Sequence, residues 1–199
     1  MKITEFKKIG KTNRFKLYVD GDFFGIIMDE TIIKNSLNTH DDYTESYLQE
    51  ILAKNQDKVC FDTALTYVSK FTKPEKELRK HLKTKGFWDC DIDFAIEKLK
   101  SYNYLNDENY AKMYIQNRRD SKGKKAIFYE LKNKGIDQEI IQQNLQCITS
   151  QEDVIEKLAS KFLKNKKDDP KVKEKLFRHL SSKGFEFEEI NSVVRRILK

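Results

Sequence analysis

The sequence predicts a mainly α-helical protein: three tandem three-helix repeats of about 49 residues in an elongated, curved array, preceded by a small N-terminal β-hairpin extension. Three observations predict it. The segments LKTKGF, LKNKGI and LSSKGF place Gly86, Gly135 and Gly184 at equal steps of 49 residues. Apolar residues around those glycines recur at helical spacing. With 36% charged residues against about 25% in an average soluble domain, the chain carries more solvated surface than one compact globule needs.

Residues 1–42 read as the extension. Ile3 to Ile9 and Arg14 to Val19 look like strands, Asp20-Gly21 is a hairpin signal, and Phe23 to Met28 forms the returning strand. Ile32, Ile33 and Leu37 suggest a short helix. Residues 43–103 hold a linking helix from near Tyr43 and the first repeat; 104–149 hold the second repeat and 150–199 the third. The predicted helices lie near 57–70, 73–85 and 90–102, then 107–119, 123–134 and 138–148, then 151–164, 170–182 and 187–198.

The repeat reaches well beyond its glycine. Leu78, Ile127 and Leu176 stand eight residues before it, and Leu82, Leu131 and Leu180 four before, one helical turn on. Ile92, Ile141 and Ile190, with Ile96, Leu145 and Val194, form a second stripe after it. A third stripe, on the first helices, aligns Phe61, Tyr110 and Ala159, then Ala64, Met113 and Phe162, then Leu65, Tyr114 and Leu163. Tyr110 and Tyr114 are expected in the core, as is Trp88. The repeat glycine suits the left-handed residue that ends a helix. Thr72 with Glu75 and Thr149 with Glu152 match capping boxes. Asp107 and Asp137 are candidate N-caps, and Asp169 before Pro170 is another.

The net charge of +7 favours an acidic partner, nucleic acid or protein. Each second helix is basic. Lys73, Lys76, Arg79, Lys80, Lys83 and Lys85 face only Glu75 and Glu77; Lys122, Lys124, Lys125, Lys132 and Lys134 face only Glu130; Lys171, Lys173, Lys175, Arg178 and Lys183 face only Glu174. The third helices begin acidic, at Asp89, Asp91 and Asp93, at Asp137 and Glu139, and at Glu186, Glu188 and Glu189. That suits the helix dipole. It argues against a helix-turn-helix reader, which would press those carboxylates against phosphates. The basic helices are then either a contact ridge or a solvated charged face.

Cys60, Cys90 and Cys147 are scattered, which excludes a disulfide scaffold or C-x-x-C metal site. No apolar run reaches membrane-spanning length, and the N-terminus lacks a signal-peptide core. A cytoplasmic protein without membrane contact is expected. No His, Cys, Ser or Gly-rich arrangement suits catalysis, so no enzyme activity, cofactor or metal is expected.

The run YLNDENYAKMYIQNRR from Tyr104 to Arg119, followed by KGKKAIFYELKNKGI at 122–136, closely resembles the central signature of the RecX family. Residues 64–87 resemble that family's first unit, and the N-terminal strands its extension. Asn103 departs from the family's usual Gly, and Tyr110 from its usual Phe. The resemblance implies a non-enzymatic modulator that lies in the groove of the RecA–DNA filament. It would limit filament growth, ATP hydrolysis, strand exchange and co-protease activity in the SOS response. A curved stack of repeats suits such a groove.

Arg118 and Gly123 match the family motif. The candidate filament-binding residues are Arg118, Arg119, Lys122, Lys124 and Lys125, with Arg79, Lys80 and Lys83 extending the ridge. Gly123 is expected to allow a tight turn. Contact with single- or double-stranded DNA is the alternative function and a scaffold role a third; a monomer is expected.

Overall fold

The computed structural model describes residues 1–164 and 170–198; the expected cap at Asp169 lies outside them. Among the described residues are three strands and ten helices. The chain divides into two compact units, residues 1–73 with 77–105, and 74–76 with 106–199.

In the first unit β1 (Ile3–Lys8), β2 (Arg14–Val19) and β3 (Asp22–Met28) form an antiparallel sheet in the order β1-β2-β3. Asp20 and Gly21 turn the chain between β2 and β3 with φ of 50° and 93°, both positive as a two-residue hairpin loop demands. The extension is thus a three-stranded sheet. Its inner side chains Ile3, Leu17, Val19 and Ile27 share a core with Leu37, Leu48 and Ile51. After α1 (Asp29–Lys34) comes α2 (Glu45–Val68), 24 residues without a break. The linking helix and the first helix of repeat 1 are therefore one element.

Two features seat α2 on the sheet. Gly25 leaves room for Leu52, whose methyl would lie 2.6 Å from any Cβ there. The Asn55 amide, 1% exposed, replaces missing backbone partners: its Oδ1 accepts from Met28 N at 3.2 Å and from Thr31 Oγ1 at 2.7 Å, and its Nδ2 donates to the Ile26 carbonyl at 3.2 Å. A buried amide needs such saturation. The far half of α2 packs with α3 (Glu75–Thr84) and α4 (Asp89–Ser101) around Ala64, Leu78, Leu82, Ile92 and Leu99.

The second unit holds two more triplets: α5 (Asp107–Arg118), α6 (Lys124–Asn133) and α7 (Gln138–Gln146), then α8 (Glu152–Leu163), α9 (Val172–Ser182) and α10 (Phe187–Ile197). Each has its own apolar cluster. Leu78, Ile127 and Leu176, Leu82, Leu131 and Leu180, and Ile92, Ile141 and Ile190 are all 0% exposed. Gly86, Gly135 and Gly184 have φ of 85°, 87° and 82°, the left-handed conformation that closes each second helix. Asn103, where the family usually has Gly, has φ of 57°; Asn tolerates that region better than most residues.

Several expectations need correction. The first helices do not keep the 49-residue phase. Their deeply buried alanines are Ala64, Ala111 and Ala159, steps of 47 and 48 residues, while Met113 is exposed. The cause is the length of the first helix: α2 ends at Val68, four residues past Ala64, but α5 ends at Arg118, seven past Ala111. A shift of one or two residues turns the buried face by about 100° or about 200°, so aligned letters there face different ways. Tyr110 and Tyr114 are only half-buried. Trp88 is 74% exposed, because it sits at the N-cap of α4 with extended backbone, pointing away from the core. Neither capping box forms, since α3 opens at Glu75 after Pro74, and Gln151 occupies the N-cap position of α8. Asn106, not Asp107, caps α5 by accepting from Asn109 N at 2.9 Å. Asp137 does cap α7.

Candidate functional site

The candidate residues fall in two groups, one in each unit. Arg118 and Arg119 end α5; Lys122, Lys124 and Lys125 follow in the connection and the start of α6. This connection is tightly built. Gly123 has φ −76° and ψ 160°, which any residue adopts, so its lack of a side chain serves something other than a turn. A Cβ there would lie 2.1 Å from the carbonyl carbon and oxygen of Gly184 and 2.2 Å from Phe185 N. Conversely, a Cβ on Gly184 would meet Ala126 N at 2.3 Å. The two backbones touch, joined by Gly123 N–H to the Lys183 carbonyl at 2.9 Å and Lys125 N–H to the Gly184 carbonyl at 3.2 Å. The expected tight-turn role of Gly123 gives way to close approach of repeats 2 and 3.

Gln151, 2% exposed, holds the same connection. Its Oε1 accepts from Lys124 N at 3.1 Å; its Nε2 donates to the carbonyls of Arg119 at 2.9 Å and Lys122 at 3.0 Å; its backbone N–H reaches Glu189 Oε1 at 3.0 Å. Sequence reading missed Gln151, because its partners lie 27 to 38 residues away and no local pattern marks them.

The cations themselves are unequally engaged. Lys122 pairs with Glu130, which also accepts from Tyr114 Oη at 2.7 Å. Burial opposes ionisation of Glu130, but the hydrogen bonds from Lys122 and Tyr114 outweigh it and hold the carboxyl below its ordinary range. Burial, then the hydrogen bond to Glu130, push the Tyr114 phenol up. Lys125 pairs with Glu186 at 2.7 Å, which raises the pKa of its ammonium. Arg118 lies over the Tyr114 ring at 5.5 Å, and Tyr110 stacks beside Tyr114 at 6.0 Å. The spacing of Tyr110, Tyr114 and Arg118, four residues each, was visible as one helix face; the tyrosine hydroxyls and the guanidinium were the signal that this face is not interior. The Arg119 guanidinium lies 3.9 Å from the carboxylate of its neighbour Asp120. Arg118 and Arg119 are exposed and Lys124 half-buried.

In the first unit Arg79 pairs with Asp93 at 2.6 Å and Lys83 with Asp89 at 2.9 Å, while Lys80 is exposed on α3. The basic second helix and the acidic start of the third thus partly neutralise one another. Exposed pairs of this kind contribute about 0–1 kcal/mol. Among the described residues no group of three or more His, Cys, Asp or Glu could hold a metal, and no helix is long and apolar enough to cross a membrane.

These features define a class first: proteins assembled from tandem three-helix modules, here behind an N-terminal sheet. The comparisons then specify the family. Residues 106–145 match the model "RecX, second three-helix domain", and residues 150–194 match "RecX, third three-helix domain". The regulatory protein RecX of Clostridium perfringens (strain 13 / Type A) is 40% identical over 191 residues, 93% of this chain and 90% of the relative. That of Clostridium beijerinckii is 35% identical over 200 residues, 98% of this chain and 93% of the relative. The chain belongs to the RecX family. A crystal structure of RecX from Lactobacillus salivarius superposes with a TM-score of 0.68 at 27% identity, covering 72% of this chain and 97% of that one. Another RecX crystal structure matches the fold over 96% of this chain and 98% of its own, with a TM-score of 0.71 and 23% identity.

Proposed function

We propose that the protein is a non-enzymatic modulator of RecA that acts in the cytoplasm as a monomer. It binds in the groove of the RecA–DNA filament and limits filament growth, ATP hydrolysis, strand exchange and SOS co-protease activity. The observation that carries this reading is the match to RecX proteins along nearly the whole chain. The contact surface we assign is Arg118, Arg119 and Lys124, supported by Lys122 and Lys125, with Arg79, Lys80 and Lys83 as a second basic patch. Arg118, Arg119 and Lys124 are the strongest of these. Gln151 and the glycine contact hold their backbone, while Lys122, Lys125, Arg79 and Lys83 already spend charge on carboxylates.

The test is RecA ATPase on single-stranded DNA with the protein titrated in. Reversing Arg118, Arg119 and Lys124 to Glu changes local charge by six units without touching the apolar clusters. Circular dichroism stays unchanged and inhibition falls steeply, since like charges at an interface cost several kcal/mol. Reversal of Lys7, Lys8 and Lys11 on the sheet has the smaller effect. A folded triple variant that inhibits at the wild-type concentration refutes the assignment. The competing reading, contact with DNA phosphates alone, predicts equal, salt-dependent binding to bare and RecA-coated DNA.

A further inference from the structure

The first unit contains a cavity that the RecA reading does not use. It has a volume of about 470 Å³ and lies between the sheet, α2 and α3. Arg14, Lys16, Lys70, Lys85 and His81 line it, and no carboxylate does. These residues come from three stretches of chain, so the charge is gathered by folding and not by a local run. The rest of the lining is largely apolar, including Ile26, Val59, Tyr67 and Phe87.

Its cationic side is partly organised in advance. Arg14 is held in place by Asp62 at 3.0 Å and by Thr63 Oγ1 at 2.8 Å, with its side chain 17% exposed. His81 stacks on Tyr67 with centroids 4.0 Å apart and planes within 12°. Among the described residues Asp62 is the acid that engages this cluster, and its charge is met by Arg14. Three lysines, Lys16, Lys70 and Lys85, are left facing the same space. Four permanent cations gathered around one concavity repel each other, and an anion relieves that repulsion.

We infer that this cavity binds a nucleotide, its phosphate held by Arg14, Lys16, Lys70 and Lys85 and its base laid against the apolar and aromatic wall. An inorganic anion has no use for that wall, and a fatty acid none for four cations. The volume falls in the usual range of ligand sites, about 300–1,000 Å³. The same chemistry is offered by a free nucleotide and by a nucleotide within a single strand. The inference is independent of RecA: none of the proposed filament-contact residues lines the cavity, and the strongest of them, Arg118, Arg119 and Lys124, lie in the second unit.

The full-length protein is titrated against a fluorescein-labelled twenty-residue oligothymidylate, with dTMP as competitor and poly-glutamate of matched charge as a second competitor. The wild type binds the oligonucleotide, and Lys16→Glu/Lys70→Glu/Lys85→Glu weakens binding at least about tenfold and lowers the salt slope by roughly one per lysine removed from phosphate. Competition by dTMP assigns recognition to the single nucleotide; binding without such competition assigns it to the strand, and both support the site. A second readout needs no variant: on the wild-type protein the oligonucleotide shields Lys16, Lys70 and Lys85 from acetylation, scored by mass spectrometry against Lys54. No binding of either nucleotide probe, wild-type affinity in the triple variant, equal displacement by poly-glutamate, or unshielded lysines overturns the inference. RecA inhibition measured on the same triple variant stays at the wild-type level, so loss of the cavity and loss of the filament contact are read separately.

Discussion

Gly123→Ala should destabilise the chain strongly through lack of space alone. Alanine adopts the φ and ψ of this position without strain, so the whole cost comes from space. The added methyl would lie 2.1 Å from the Gly184 carbonyl, and those neighbours are backbone atoms that cannot rotate aside. Repeats 2 and 3 must separate locally, breaking the hydrogen bonds of 2.9 and 3.2 Å that cross the junction. Two such bonds contribute about 1–3 kcal/mol, and forcing a methyl into filled space costs about 1–3 kcal/mol more. A loss near 4 kcal/mol lowers Tm by roughly 8–16 °C in a chain of this size. Gly86→Ala is the control. It faces open space, and its penalty is the left-handed φ of 85°, about 1–2 kcal/mol. Thermal unfolding followed by circular dichroism ranks the two. If Gly123→Ala costs less than Gly86→Ala, the two backbones do not touch and the account of the junction fails.

Leu131→Ala empties a site that is 0% exposed and should destabilise the second unit by about 2–5 kcal/mol; an unchanged urea midpoint would show the helix phase to be wrong. Burial pushes the Cys60 thiol up to about 12, whereas Cys90 and Cys147 are exposed. Two thiols should therefore react quickly with a disulfide reagent at neutral pH, and the third only on unfolding. The His81 imidazole has its pKa lowered from 6.5 by burial and then by the charge of Lys85. The unfolded chain binds that proton more tightly, so stability is present above the unfolded pKa and lost as pH falls through 6.5 toward the folded value. His81→Phe should flatten this acid dependence of the urea midpoint; a wild-type slope in the variant would place the titration elsewhere.

The sequence by itself determined the features that repeat locally. Gly86, Gly135 and Gly184 end helices because only a left-handed residue closes them cheaply. Leu82, Leu131 and Leu180 are buried because their stripes leave one apolar face. Asp20-Gly21 turns the sheet for the same kind of local reason. The family signature was legible too, being a run of adjacent residues. Only the tertiary structure decided which charges remain available and how the first helices are phased. Lys125 and Lys124 are neighbours in an identical local context, yet one meets Glu186 and the other presents its backbone to Gln151. Met113 aligned with Ala64 in letters and not in space, because α5 runs farther past its buried alanine than α2 does. Gly123 looked like a turn residue and is a contact residue. The basic cavity gathers Arg14, Lys16, Lys70, His81 and Lys85 from separate stretches. Periodicity reports the direction a side chain takes from its own helix; what stands opposite it is set by elements dozens of residues away, and that information is created when the chain packs.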